Sequence, residues 1–206
     1  MKTLLLLWLM AVGPDRPVPA NPALRTSVQA LNAATTVDQW RHAANRLAHL
    51  SDQTPADWLA AYWAAYAYVA VSFRAGEEAD DLLDRADTYL NRVADLKPDY
   101  DEVLVLQSYL AQARLAAKPT FRWMTYGPRS EQALRAARQK NPANPRIPLL
   151  EGLALYYKPA AFGGGSAKAC PLLRQAAQKF ATFKPLSDLH PNWGQRDLTP
   201  LLAKCN

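Results

Sequence analysis

Apolar side chains recur at three- and four-residue intervals along most of the chain, in runs separated by proline, glycine and asparagine breakers. The pattern predicts helices near 24–33, 37–50, 56–74, 77–96, 100–117, 128–140, 146–157, 167–181 and 197–204. Alanine is abundant, there are only 8 glycines, and β-branched residues are few. An all-α protein is therefore expected, with short links that make successive helices antiparallel neighbours. Two stretches lack the polar positions of an amphipathic helix. Lys2 followed by the apolar run Thr3 to Gly13 has the positive start and short core of a secretory signal, too short to span a bilayer. Val18-Pro19-Ala20 offers small residues for cleavage, so residues 1–20 are expected to be removed and 21–206 to form a single helical domain. The run from Trp58 to Phe73 is uncharged but short and alanine-rich, which fits a buried helix better than a membrane span.

The helices also repeat. Asp95-Leu96-Lys97-Pro98 and Gln139-Lys140-Asn141-Pro142 close two of them alike. Leu90 and Leu134 precede those prolines by eight residues, Val93 and Ala137 by five, and small residues, Ser108 and Gly152, follow by ten. The pattern resembles the tetratricopeptide repeat, a pair of helices with small residues where they cross and a proline after the second. The crossings would be Ala86 with Leu90 and Val93, Ser108 with Ser130, Leu134 and Ala137, and Gly152 with Ala169, Leu173 and Ala176. A bulky side chain at such a crossing would force the axes apart. The resemblance implies a solenoid of about three helical hairpins, near 55–98, 99–142 and 143–181, with capping helices at both ends. Tyr62 departs from it, standing where the first repeat should be small, and the third repeat lacks its closing proline. The runs Leu149 to Gly165 and Pro191-Asn192-Trp193-Gly194 look like those of exported bacterial members, which implies a scaffold rather than a reaction.

Charge is unevenly distributed within a formal net +6. Residues 76–103 carry ten acidic side chains against three basic ones, whereas 104–206 carry fifteen Lys and Arg against four carboxylates. Such asymmetry can steer an acidic partner or drive self-association, or it can simply mark solvated helix faces. Nucleic acid is not expected, because the basic residues are spread over a hundred positions.

Two surfaces are candidate sites. Both later repeats are longer than the family needs between their helices, so Lys118 to Tyr126 and Lys158 to Gly165 are read as loops inserted at equivalent joints and hence neighbours. Their Phe121, Arg122, Trp123, Tyr126 and Phe162 either form a recognition surface or plug the ends of the helical core. The second surface is the concave face that the first helix of each repeat lines in the family. It transfers here to Glu102, Val105, Tyr109, Gln112, Arg146, Leu149, Leu153, Tyr156 and Tyr157, a mixture that suits a peptide or helix.

Catalytic and metal signatures are weak. Gly163-Gly164-Gly165-Ser166-Ala167-Lys168 lacks the ending of a phosphate loop and the strand before it. His42 and His49 lie roughly on one helical face without a third ligand, and hydrolytic and redox motifs are missing. No metal, no cofactor and no enzymatic activity are expected. Cys170 and Cys205, the only thiols in a chain bound for an oxidising compartment, are expected to pair, the alternative being two small buried hydrophobes. The expected function is a non-catalytic protein- or peptide-binding scaffold of the bacterial cell envelope, periplasmic or secreted. The alternative is a small-ligand-binding accessory protein of an envelope transport system. Oligomeric state is not legible at this level.

Overall fold

The computed structural model describes residues 21–205, so the expected leader, 1–20, lies outside the described residues. The described chain is all-α. Its helices are α1 (Pro22–Ala33), α2 (Val37–Gln53), α3 (Trp58–Ser72), α4 (Ala79–Leu96), α5 (Asp101–Ala117), α6 (Pro119–Lys140), α7 (Arg146–Tyr157), α8 (Ser166–Thr182) and α9 (Gln195–Leu202). Side chains start the first three helices where the sequence supplies N-caps. Asn21 Oδ1 accepts from Leu24 N at 3.1 Å, Thr36 and Gln39 form a reciprocal capping box, and Asp57 Oδ1 accepts from Leu59 N at 3.0 Å.

Consecutive helices pack as hairpins, α1 with α2, α3 with α4, α5 with α6 and α7 with α8. The odd-numbered helices also touch one another, α1 to α3, α3 to α5 and α5 to α7. The result is a solenoid-like stack with an inner layer of odd helices and an outer layer of even ones. Its centre is α3, buried on every side except at Ala70. That explains its lack of a polar stripe: a helix surrounded by protein has no face to give to water. No described helix is long and apolar enough to cross a membrane.

The expected crossings are close. Ser108 Oγ and Ser130 Oγ lie 2.8 Å apart in the buried contact of α5 with α6. A Cβ on Gly152 would meet Leu173 Cδ2 at 2.7 Å, so α7 and α8 approach as closely as they do because that position has no side chain.

One boundary differs from the sequence reading. Lys118 to Tyr126 is not an inserted loop: Pro119 starts α6, and the helix runs through Gly127 and Pro128 to Lys140. Proline in mid-helix removes one bond, but this one interrupts rather than ends the helix. The other segment is a short 3-10 turn, Ala160–Phe162, closed by Gly163 in the left-handed region at φ 86°. Among the described residues no ring contact or hydrogen bond joins the two segments, so they are not the paired loops expected.

After α8 the chain turns back over the inner layer. Trp63 Nε1 donates to Leu189 O at 2.7 Å, Trp193 Nε1 donates to Tyr62 OH at 2.8 Å, and the Arg146 guanidinium donates to Pro191 O. Arg196 donates to Asn32 O on α1 at 2.7 Å. Gly194, at φ 101°, permits the turn into α9; a Cβ there would lie 2.6 Å from Leu149. The Cys170–Cys205 disulfide, with its Cα atoms 5.5 Å apart, fastens the end of the chain to α8.

Candidate functional site

The returning segment lies over α3, α5 and α7 and is fastened to α8. Beneath it lies a buried polar cluster from α3, α5 and α7. Glu102 accepts from Tyr62 OH at 3.1 Å and pairs with Arg146 Nε at 3.3 Å. Asn144 Nδ2 bridges Glu102 and Asp101. Burial pushes the Glu102 carboxyl above the usual range, with Arg146 opposing. The Arg146 guanidinium lies between the rings of Phe183 and Trp193, at 4.8 and 5.4 Å. Glu102 and Arg146 were expected on an accessible concave face; both are buried, because the chain's own C-terminal segment occupies that part of the groove. Gln112 is also committed, its amide donating to Ser130 Oγ and Leu150 O, each at 3.1 Å.

Trp193 of this segment joins aromatic rings of the inner face. Trp193, Tyr66 and Tyr109 form a triangle of near-parallel rings, Trp193 lying 4.8 Å from Tyr66 and 5.2 Å from Tyr109, with the two tyrosines 6.1 Å apart. Phe73 packs on the outer side of Tyr109, its ring 5.3 Å away and tilted by 32°. Trp193 and Tyr66 are buried and form the floor, Tyr109 is half-buried, and Phe73 is exposed. Tyr157, also exposed, is close enough to Tyr109 to raise the latter's pKa, and Tyr156 packs edge-on against Tyr157 at 5.2 Å. This aromatic shelf is open rather than enclosed. Its charged groups are Arg74, Arg196 and Asp197. Its surroundings push the Asp197 carboxyl above the ordinary range, and Arg74 and Arg196 oppose that shift. Burial chiefly holds the Tyr66 and Tyr109 hydroxyls well above their usual pKa, so both stay protonated and able to donate.

The α6 residues have other settings. Phe121 and Trp123 are 86% and 61% exposed, and Phe162 on its separate turn is 74% exposed. They do not plug the ends of the core. Arg122 is not a free cation: it grips Asp80 through both nitrogens, at 2.6 and 2.9 Å. Tyr126 is half-buried, with Arg129 over its ring at 5.4 Å. Part of the charge asymmetry is answered within the chain, where Arg114 pairs with Asp80, Asp84 and Asp87, Lys118 with Asp80, and Lys140 with Asp99.

Two shallow clefts lie away from the shelf. One of about 350 Å³ is lined by α1 and α2 and includes His42, Arg46 and His49. The other, about 400 Å³, is lined by α4, α5 and α6 around Leu104, Leu110, Tyr126 and Arg129. His190 is packed edge-on against Trp58 at 5.5 Å. No group of three metal-binding side chains occurs among the described residues. Sequence reasoning placed Tyr109, Tyr156 and Tyr157 on the face that became the shelf. It missed Tyr66, Phe73 and Trp193; the Pro-Asn-Trp-Gly run was visible, but its destination was not.

No protein-family model matches the chain, and no curated protein matches it. Among solved structures the chain is similar to the HusA haemophore from Porphyromonas gingivalis, with 33% sequence identity and a TM-score of 0.78. The match covers 89% of this chain and 91% of that one. Similarity at that level over nearly the whole of both chains is kinship as well as shared shape, and the chain belongs to the family of the HusA haemophore.

Proposed function

We propose that this protein is an exported haem carrier, a non-catalytic binding protein that holds a flat tetrapyrrole against its aromatic shelf. The observation that carries the reading is the cluster of near-parallel rings of Tyr66, Trp193 and Tyr109 with Phe73 beside it, set in a member of a haemophore's family. Offset-stacked rings gain about 0.5–1.5 kcal/mol each beyond the area they bury, and a planar ligand continues such a stack. The shelf has no histidine, cysteine or methionine, so ring contact with the tetrapyrrole face supplies most of its hold.

The hairpin stack is proposed to be a tetratricopeptide-like solenoid whose inner groove is part-filled by its own C-terminus. A disulfide at that end accords with an exported protein, periplasmic or secreted. The peptide-binding scaffold stands second, and the openness of the shelf is what favours it. The test is a Soret-band titration of the mature protein with ferric protoporphyrin. Saturable binding, displaced by neither peptides nor unrelated aromatics, supports the carrier; featureless partitioning at all ratios removes it.

A further inference from the structure

The joints within the hairpins are gathered along one edge of the stack. Asp80, in the first turn of α4, meets Arg122 in the first turn of α6 at 2.6 Å, Lys118 in the link before it at 2.9 Å, and Arg114 in the last turn of α5 at 3.7 Å. The opposite edge holds the other links: Lys140 pairs with Asp99 between α4 and α5, and Lys179, near the end of α8, donates to Pro142 O between α6 and α7. The α7–α8 joint, with its turn Ala160–Phe162, therefore lies on the first edge.

On that edge the start of α6 projects. Every residue of 118–125 is exposed except Arg122. Helical rotation of about 100° per residue puts Trp123 about 200° and Met124 about 300° round from Phe121, so the three stand about the tip rather than on one face. Phe162 is exposed on the neighbouring joint. A rigid partner surface covers one face of a helix, whereas apolar side chains all round a tip are covered together by a medium that closes about them. The interfacial zone of a lipid layer does so, and tryptophan is favoured there. Charge agrees: residues 104–130 and 152–187 contain no carboxylate. Lys118 and Arg122 are taken by Asp80, but Lys158 and Lys168, both exposed, make no ion pair among the described residues. Glu77, Glu78 and Asp81 belong to the α3–α4 joint, with the α5–α6 hairpin between them and these lysines.

We propose that this edge docks the protein on an anionic lipid surface, Phe121, Trp123, Met124 and Phe162 entering the headgroup zone while Lys158 and Lys168 lie over acidic headgroups. The docking goes beyond the carrier reading and uses none of the shelf's rings.

The test is partition of the mature protein onto phosphatidylcholine vesicles with and without phosphatidylglycerol, followed by co-sedimentation and by quenching of tryptophan emission with brominated acyl chains. Wild type is expected to bind the mixed vesicles more tightly, with an advantage that fades as salt is raised, and to be quenched. Lys158→Gln with Lys168→Gln should lower affinity for the mixed vesicles about tenfold. Phe121→Ser with Trp123→Ser and Met124→Ser should lower binding to both vesicles by more than about tenfold; these residues are exposed, so an unchanged urea midpoint is expected to show the fold intact. Trp123→Phe should bind as wild type does but lose most of the quenching. No binding of wild type to either vesicle would leave the tip to a protein partner and overturn the proposal. Binding that survives the triple serine change, quenching that survives Trp123→Phe, or unchanged affinity in the lysine variant overturns it equally. Soret titration of the same variants is read separately, so the carrier and the docking stand or fall apart.

Discussion

Tyr66, Tyr109 and Trp193 come from α3, α5 and the segment before α9, and Trp193 is separated in sequence from Tyr62, its hydrogen-bonding partner, by 131 residues. Phe121, Trp123 and Met124 come from a single stretch of α6 and remain exposed. Both regions are aromatic, yet only the first is organised. Its rings are held near-parallel by a buried polar cluster beneath and by a chain end tied to α8. The α6 side chains are held on only one side, by Arg122 and its aspartate. A fixed set of rings binds a flat ligand without first losing side-chain freedom, whereas exposed rings must be ordered as they bind. Clustering in sequence was thus a poor guide to the site, and convergence in space a better one.

The contrast breaks most readily at Trp193. Trp193→Ala removes the ring packed on both Tyr66 and Tyr109 and the partner of Tyr62, and should cost about 3–5 kcal/mol of stability by the usual penalty for emptying a buried aromatic site. Urea unfolding measures that loss, and Soret titration of the folded fraction should show saturable binding abolished. The paired change Cys170→Ser with Cys205→Ser acts one step further away. It releases a closure spanning 35 residues and should cost about 2–4 kcal/mol. Because it frees the segment that carries Trp193, haem affinity should fall with stability; an unchanged affinity would mean that the segment stays seated without its tether.

A smaller effect concerns the ion pairs that anchor the start of α6. The Arg122 side chain, then that of Lys118, hydrogen-bonds to Asp80 and holds its carboxyl well below the usual aspartate range. The linked stability is present above the ordinary aspartate pKa and is lost as pH falls through the depressed one. Wild type should therefore lose more thermal stability than Asp80→Asn between about pH 4 and pH 2. Parallel curves would show that the pair contributes nothing. The smallest effect is expected at the exposed tip. Phe121→Ser combined with Trp123→Ser should change stability by no more than about 0.5 kcal/mol per residue and leave haem affinity unaltered; a clear loss of binding would shift the site to α6.

The helices themselves were legible because each carries its own evidence in spacing and caps. Residues 79–96 follow an amphipathic stripe, and Thr36 with Gln39 announces α2. Ser108, Ser130 and Gly152 disclosed where helices cross, since small residues there answer a local steric demand. The start of α6 was misread because Gly127-Pro128 is a breaker by local rules, and packing of Arg122 against α4 carries the helix through it. The site was legible only in part. Tyr109, Tyr156 and Tyr157 fall at positions that face inward in any stack of this register. Tyr66 sits in a helix without a polar side, so nothing in its neighbours marks which face is free. Glu102 and Arg146 looked accessible for the same reason that Trp193 looked incidental: the returning C-terminal segment meets them from far away in sequence, and no periodicity encodes that contact.

The most direct test labels the indole nitrogens of the wild-type mature protein and follows the tryptophan N–H resonances by NMR as ferric protoporphyrin is added. Paramagnetic iron broadens nearby protons, and Trp193, in the floor of the shelf, lies far from Trp123 in its bonding and its surroundings. The account predicts that the Trp193 signal broadens first while the Trp123 signal persists. Early loss of the Trp123 signal with Trp193 unaffected would contradict it.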